Sequence, residues 1–106
     1  MKIKEKFPEL TVIAAHYGGF KVWDEVVKHM LNKDVYLDTS FFFGFLPKQE
    51  VKLLISGHRK DRILFGTDFP LVDQQNDIDY LSNLDIDPDF KELIFYKNTL
   101  ELLKLF

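Results

Sequence analysis

Three short apolar runs along the chain each lead into polar residues. They cover Thr11–His16, Val35–Ser40 and Ile63–Gly66. Continuous apolar and β-branched residues are typical of strands buried on both faces, as in a parallel sheet between helices. Because Pro70 cannot continue a strand ladder, Asp68 is expected just beyond the end of the third strand. The carboxyl ends of strands are where α/β folds gather ligands and catalytic groups.

Two segments with helical periodicity separate these runs. Residues 21–32 and Lys48–Ser56 each carry an apolar stripe for one face of a helix, and Gly57 follows the second at a C-terminal position. The stripes consist of Trp23, Val26, Val27, Met30 and Leu31, and of Val51, Leu54 and Ile55.

Further helices are predicted after Pro70. Asp77 is the expected N-cap of a short helix, and Asp87 or Pro88 opens the next one. Asn98 is interpreted as the cap of a second helical stretch. The alternation predicts one α/β domain over residues 1–106, with successive βα units, a parallel sheet and right-handed crossovers.

Composition narrows the possible partners and compartments. The 106 residues are well short of the roughly 250 of a closed (β/α)₈ barrel, and 14 basic against 17 acidic residues give a net charge of −3. No basic surface is therefore expected for nucleic acid or anionic membranes. There is no Cys for a disulfide or thiolate site, and no apolar run is long enough to span a membrane. With a charged start unlike a signal peptide, we expect a cytoplasmic protein.

The strand ends supply the candidate site residues. His16 on its own is best explained as a loop histidine bonded to a neighbouring carbonyl, and Asp38 as a cap of the following turn. Asp38 stands beside Thr39 and Ser40, so a role in lining a site stays open. His29 lies off the helical stripe, and His58 is placed in an exposed charged turn; neither is counted as a ligand.

The segment Phe41–Leu46 contains four Phe within five residues. One loop of a small domain can hardly bury all four, so a partner surface is expected. We rank a protein interface and an apolar substrate pocket above local core.

Four motifs together resemble the amidohydrolase-related metal-dependent hydrolases of the amidohydrolase 2 type. They are His16–Gly19, Val35–Ser40, Leu64–Pro70 and Ile94–Asn98, in this order. In that family they correspond to strands six, seven and eight and the last helix of a TIM (β/α)₈ barrel. The resemblance therefore covers nearly the whole chain and the C-terminal part of the family fold.

The resemblance implies roles for two residues. Asp68 corresponds to the strand-eight aspartate, which binds the divalent metal, expected to be Zn²⁺, or takes a proton from its water. His16 corresponds to the strand-six histidine, a metal ligand or active-site base. The implied reaction is hydrolysis of a C–N or C–O bond, or decarboxylation, of a small-molecule substrate.

The family's His-x-His strand and its strand-five ligand have no counterpart here. We therefore expect a C-terminal fragment that binds metal weakly and is inactive alone, since a catalytic site normally takes three protein ligands. Two alternatives stay open: a catalytically silent module that forms homo-oligomers, and a subunit that completes a barrel with another chain. Association is expected through open sheet edges, the Phe segment, and a face lined by Val12, Ala14, Leu64 and Gly66. We also expect His16 and Asp68 to face the same side of the sheet.

Overall fold

The computed structural model describes residues 2–19, 21–69 and 72–104, in which three strands alternate with helices. The elements are α1 (Lys2–Lys6), β1 (Ile13–Ala14), α2 (Trp23–His29), β2 (Tyr36–Asp38), α3 (Lys48–Ser56), β3 (Ile63–Leu64), α4 (Gln74–Asn83), α5 (Pro88–Glu92) and α6 (Asn98–Leu103). Single 3₁₀ turns occupy His16–Gly18 and Lys60–Arg62, and a π-helical turn at Leu93–Lys97 joins α5 to α6. None of the helices in these ranges has the length and apolar character to cross a membrane.

The strands form one parallel sheet in the order β1-β2-β3. Ala14 pairs with Leu37, and Leu37 pairs with Ile63, while Asp38 pairs with Leu64. This confirms the predicted α/β class with a parallel sheet. Because all three strands run the same way, their carboxyl ends lie at one edge.

The register assigns the apolar side chains to two different faces. Residues paired across a parallel sheet share a face, so Ala14 lies with Leu37 and Ile63, and Leu64 lies opposite to them. The expected single face of Val12, Ala14, Leu64 and Gly66 is therefore wrong. The predicted alternation of β1 relative to β3 was shifted by one residue. Such a shift moves every side chain of a strand to the opposite face.

The helix-covered face carries the main core. Val12 and Ala14 pack against it, and Leu37 and Ile63 are fully buried within it. On the other face Leu64 forms a separate small cluster with Tyr36 and Leu102 of α6. The main core also contains Trp23, Val26, Val51, Leu54, Ile55, Leu81, Leu84, Phe90 and Ile94.

The predicted helices are largely confirmed, with local differences. Helix α3 has the predicted bounds, and α2 ends at His29, earlier than expected, with Val27 of its stripe 53% exposed. Gly57 follows α3 with φ −82°, so left-handed backbone does not explain it. A Cβ at Gly57 would lie 2.8 Å from Leu31 Cδ2, and this close approach explains the glycine instead.

Two predicted caps are wrong. The cap of α4 is Asp73, which accepts a hydrogen bond from Gln75 N at 2.9 Å, while Asp77 is buried inside the helix. Asn98 has helical backbone angles, and its side chain Nδ2 donates to Lys60 O at 2.8 Å and Ile63 O at 2.9 Å. Asn98 therefore holds the start of β3 rather than capping α6.

The π-helical turn covers one edge of the sheet. Phe65 N donates to Ile94 O at 3.1 Å, and the Asn98 amide bonds Ile63 O on the same strand. Two open sheet edges were expected, and this turn covers the edge of β3. It does not cover the edge of β1.

The Phe segment is divided between core and surface. Phe42 and Phe43 are buried in the main core, Phe41 is half-buried, and Phe45 is 42% exposed. The ranking of an interface or pocket above core is wrong for Phe42 and Phe43. Phe42 stacks on Tyr17, with ring centroids 4.3 Å apart, and Phe43 on Tyr80 at 4.8 Å.

His58 is also buried, with 3% exposure, which contradicts its expected place in an exposed turn. Its Nε2 bonds Val35 O at 2.8 Å, and its Nδ1 lies 3.0 Å from Asn32 N. A carbonyl only accepts and a backbone N–H only donates, so Nε2 carries the proton and Nδ1 accepts. The ring thereby joins the segment after α2 to the start of β2.

Candidate functional site

The turn that follows β1 carries His16 and is anchored from two sides. Tyr17 is fully buried, and its hydroxyl donates to Leu54 O at 2.8 Å. Trp23 Nε1 donates to His16 O at 3.0 Å. His16 and Tyr17 both have left-handed backbone, with φ of 56° and 50°. The chain therefore leaves strand geometry before His16, and strand alternation does not decide where its ring points.

At the end of β2, Asp38 and Ser40 form a hydrogen-bonded pair that contacts His16. Asp38 Oδ1 accepts from Ser40 N at 3.0 Å and from Ser40 Oγ, so it does cap the following turn. His16 N lies 3.2 Å from both Asp38 Oδ1 and Ser40 Oγ. The His16 ring Nδ1 lies 3.0 Å from Ser40 Oγ and 3.2 Å from Ser40 O. Asp38 therefore caps the turn, as predicted, and also contacts His16.

Thr39 joins this pair to the end of β3. Its buried hydroxyl donates to Gly66 O at 3.2 Å and accepts from Gly66 N at 3.1 Å. A Cβ at Gly66 would lie 3.5 Å from Asp38 Cγ. The backbone of Gly66 is thus held beside the Asp38 carboxyl group.

Asp68 stands two residues beyond Gly66 and is exposed. Its φ is 63°, and within the described ranges its carboxylate has no hydrogen bond or ion pair. The structure brings His16 together with Asp38 and Ser40 and leaves Asp68 outside this network. Pro70, expected to end the third strand, lies outside the described residues.

Strained backbone is concentrated at this edge. Six non-glycine residues in the described ranges have positive φ, and four of them follow strand ends: His16, Tyr17, Phe41 and Asp68. Such conformations cost of the order of 1 kcal/mol each or more and tend to cluster at functional sites. The Phe41 ring packs edge-on against the His16 ring, with centroids 5.2 Å apart.

The donors at this edge suit a divalent metal in type but not in number. An imidazole and a carboxylate, from His16 and Asp68, are ordinary ligands of Zn²⁺ and Mn²⁺. No group of three or more His, Cys, Asp or Glu that could hold an ion occurs in the described part of the chain. The described residues therefore do not form a complete metal site by themselves.

Sequence reasoning named Ser40 only as a neighbour of Asp38, and Phe41 only as part of the Phe segment. It did not predict the contacts of either residue with His16. A carboxylate followed two positions later by Ser is a common turn pattern, and it could have indicated the Asp38–Ser40 pair. The contact of Phe41 with His16 depends on its positive φ, which the sequence does not reveal.

Comparison with known proteins places these features in a family. Residues 2–105 match the sequence profile of the amidohydrolase family described as "Amidohydrolase". No protein of curated function matches the chain. An uncharacterised TIM-barrel protein from Bordetella bronchiseptica is similar in structure, with a TM-score of 0.81 and 26% identity over 97% of this chain and 37% of that one.

Two decarboxylases are also similar in structure. A dihydroxybenzoic acid decarboxylase from Polaromonas sp. JS666, solved with bound manganese and the inhibitor 2-nitroresorcinol, has a TM-score of 0.74 and 26% identity over 97% of this chain and 36% of that one. The 2,6-dihydroxybenzoate decarboxylase from Rhizobium has a TM-score of 0.76 at 21% identity, over 97% of this chain and 37% of that one. The chain thus spans little more than a third of the length of these structures.

Proposed function

The chain belongs to the amidohydrolase family, and we propose that it supplies part of the active site of a metal-dependent hydrolase or decarboxylase. The supporting observation is the network at the carboxyl edge of the parallel sheet, where Asp38 and Ser40 hold His16. Strands β1, β2 and β3 would correspond to strands six, seven and eight of a TIM barrel. Activity would belong to a complete barrel.

His16 and Asp68 would be the catalytic and metal-binding residues. A bound divalent ion such as Mn²⁺ or Zn²⁺ supplies Lewis acidity and lowers the pKa of a coordinated water. Asp68, exposed and without a partner in the described ranges, is available to hold the ion or accept a proton from its water. His16 would act as a ligand or as a base toward the substrate, because its ring is held in place by Ser40.

The substrate would be a small molecule with an aromatic or other flat apolar part. The rings of Phe41 and Phe45 lie 5.8 Å apart, and Phe41 contacts His16. Aromatic side chains beside a catalytic base suit a planar ring. The Polaromonas relative, which is a dihydroxybenzoic acid decarboxylase, supports decarboxylation of an aromatic acid as one form of this activity.

A Mn²⁺ titration followed by nuclear magnetic resonance tests the metal site in the chain itself. Paramagnetic Mn²⁺ broadens nearby signals even when binding is weak, so two ligands suffice for detection. We expect selective broadening of the amides of His16 and Asp68, lost in Asp68→Asn and retained in Asp24→Asn, which changes an exposed carboxylate on α2. Broadening spread evenly over all exposed carboxylates would contradict the site.

Calorimetry and activity measurements test the expectation of a weak, inactive site. We expect no hydrolase activity with added Zn²⁺ or Mn²⁺. Tight one-to-one metal binding that is lost in both His16→Ala and Asp68→Asn would instead show a self-sufficient site. Activity that appears only on mixing with a second chain carrying a His-x-His strand would favour a barrel completed by two subunits.

A second candidate is homo-oligomerisation through the edge of β1, supported by Ile13, which is 51% exposed on this strand. Unpaired strand edges favour association. Light scattering at micromolar concentration should show a dimer that Ile13→Lys weakens and Leu53→Lys, at an exposed position on α3, does not. Substitutions at Phe42 and Phe43 are unsuitable for this test because both side chains belong to the core.

A further inference from the structure

The three groups at the carboxyl edge fix where the hydrogen atoms must lie. Ser40 Oγ contacts Asp38 Oδ1, and an ionised carboxylate can only accept, so the Ser40 hydroxyl donates its one proton to Asp38. Ser40 Oγ must then act as an acceptor toward the His16 ring at 3.0 Å. The Ser40 carbonyl, 3.2 Å from the same ring nitrogen, also only accepts.

Both contacts therefore require a proton on His16 Nδ1. The opposite tautomer would place the Nδ1 lone pair against two acceptor oxygens. In a neutral imidazole a proton on Nδ1 leaves the lone pair on Nε2. We propose that Asp38 and Ser40 are positioning residues that hold His16 as the Nδ1–H tautomer, so that Nε2 is the basic nitrogen. The functional meaning of this arrangement rests on the proposed role of His16.

The backbone makes the arrangement rigid. His16 N–H points at Asp38 Oδ1 and Ser40 Oγ, each 3.2 Å from the nitrogen. His16 O accepts from Trp23 Nε1 and from Gly19 N at 3.1 Å. Thr39, the residue between Asp38 and Ser40, is bonded to Gly66 just after β3. The ring is thus oriented by Ser40 in the turn after β2, as hydrogen-bonded partners orient ligating histidines in metal sites.

The tautomer can be read directly from the ¹⁵N shifts of the imidazole rings in the metal-free chain. The chain has three histidines, and His58 provides an internal reference because Val35 O fixes its proton on Nε2. We expect His16 to show the Nδ1–H pattern and His58 the Nε2–H pattern. A wild-type His16 that is mainly Nε2–H would overturn the proposal.

Variants show which groups set the tautomer. In Ser40→Ala or Asp38→Asn we expect the Nδ1–H to Nε2–H ratio of His16 to fall about fivefold, the effect of one ordinary hydrogen bond. Ser40→Thr, which keeps the hydroxyl, should restore the ratio, and Ser56→Ala is the matched control at an exposed serine. An unchanged ratio in both Ser40→Ala and Asp38→Asn would overturn the assignment to these residues.

The readout separates this inference from the proposed function. An unchanged His58 pattern shows that a variant is folded. If a variant does not fold, the wild-type spectrum alone still decides the tautomer of His16. Failure of the Mn²⁺ titration would count against the metal site and leave the tautomer standing. An Nε2–H ring in the wild type would overturn the positioning role and leave the family and the metal site untouched.

Discussion

The two ends of the sheet use histidine in opposite ways. At the amino end His58 is buried, carries its proton on Nε2 and bonds the backbone at Val35 and Asn32. At the carboxyl end His16 is half-buried and bonds Ser40 through Nδ1. The hydrogen bonds of the His58 ring go entirely to main-chain groups, whereas the contacts of His16 include the side-chain oxygens of Asp38 and Ser40. The first arrangement stabilises the fold, and the second orients a ring.

Charge and strain follow the same division. Before β2 and β3, Arg62 Nε donates to Asp34 Oδ1 at 3.1 Å, and this hydrogen bond holds the pKa of Asp34 below its usual value. Arg62 also lies over the Tyr36 ring, 4.8 Å from its centroid. The carboxyl end has no such ion pairs among the residues that the structure describes, and it carries left-handed residues instead. Paired charges thus lie at the amino end, whereas most of the left-handed residues in the described ranges lie at the carboxyl end.

The largest expected effect is at Asn98, which belongs to the amino end. Asn98→Asp keeps the side-chain shape but removes both hydrogen bonds from Nδ2 and places an acceptor against Lys60 O and Ile63 O. Because the residue is buried, we expect a loss of about 4 kcal/mol in the free energy of unfolding. Urea denaturation measures it. Asn83→Asp, at an exposed position of α4, is the control, and a loss as small as that of the control would contradict the role of Asn98.

How much of this could be predicted differs between local and tertiary features. Helix α3 was predicted with its bounds because a periodic stripe specifies it. The burial of His58 and the Asn98 contacts were missed, since both depend on residues more than twenty positions away. The π-helical turn was also not predicted. Local polarity around His58 indicated a surface turn, and tertiary packing overrode it.

The candidate site was only partly predictable. The strand-end position of His16 and Asp38 followed from pattern, and their place at one edge followed from a parallel sheet. Their contact was not predicted. The phase of each strand could not be predicted in this way. Strand β1 ends at Ala14 and β3 at Leu64, whereas counting alternate residues on to His16 and Asp68 assumes strand geometry where the backbone is left-handed.

A smaller effect contrasts the two histidines directly. His58→Ala removes two hydrogen bonds and leaves Val35 O and Asn32 N without partners, which should cost about 3 kcal/mol. His16→Asn should change stability by less than about 1 kcal/mol, because Asn tolerates the left-handed backbone and offsets the lost ring contacts. Thermal or urea unfolding compares the two. Equal losses at both positions would remove the proposed division between the ends.

The smallest expected effect is a pH dependence in which His58 at the amino end and Asp77 on α4 act in opposite directions. Burial lowers the pKa of His58 from its ordinary 6.5, with Arg59 and Arg62 acting in the same direction and Val35 O and Asp61 against it. As the pH falls below 6.5 the unfolded chain binds a proton that the folded ring does not, so stability decreases. Asp77 acts oppositely: burial, with Asp73 nearby, raises its pKa to about 6, so the folded chain gains a proton first and stability increases as the pH falls from about 6 toward 3.8.

These two groups can be separated by substitution. Between pH 7 and pH 5 the opposing effects should leave the wild type nearly unchanged. Asp77→Asn removes the compensating gain, so its free energy of unfolding should fall by about 1 kcal/mol over this range. His58→Ala leaves Asp77 as the only one of these two groups. The free energy of unfolding of this variant should therefore rise between pH 7 and pH 5. If the wild type loses stability on acidification as Asp77→Asn does, Asp77 contributes little. His58, which holds the start of β2 at the amino end, would then alone govern acid stability.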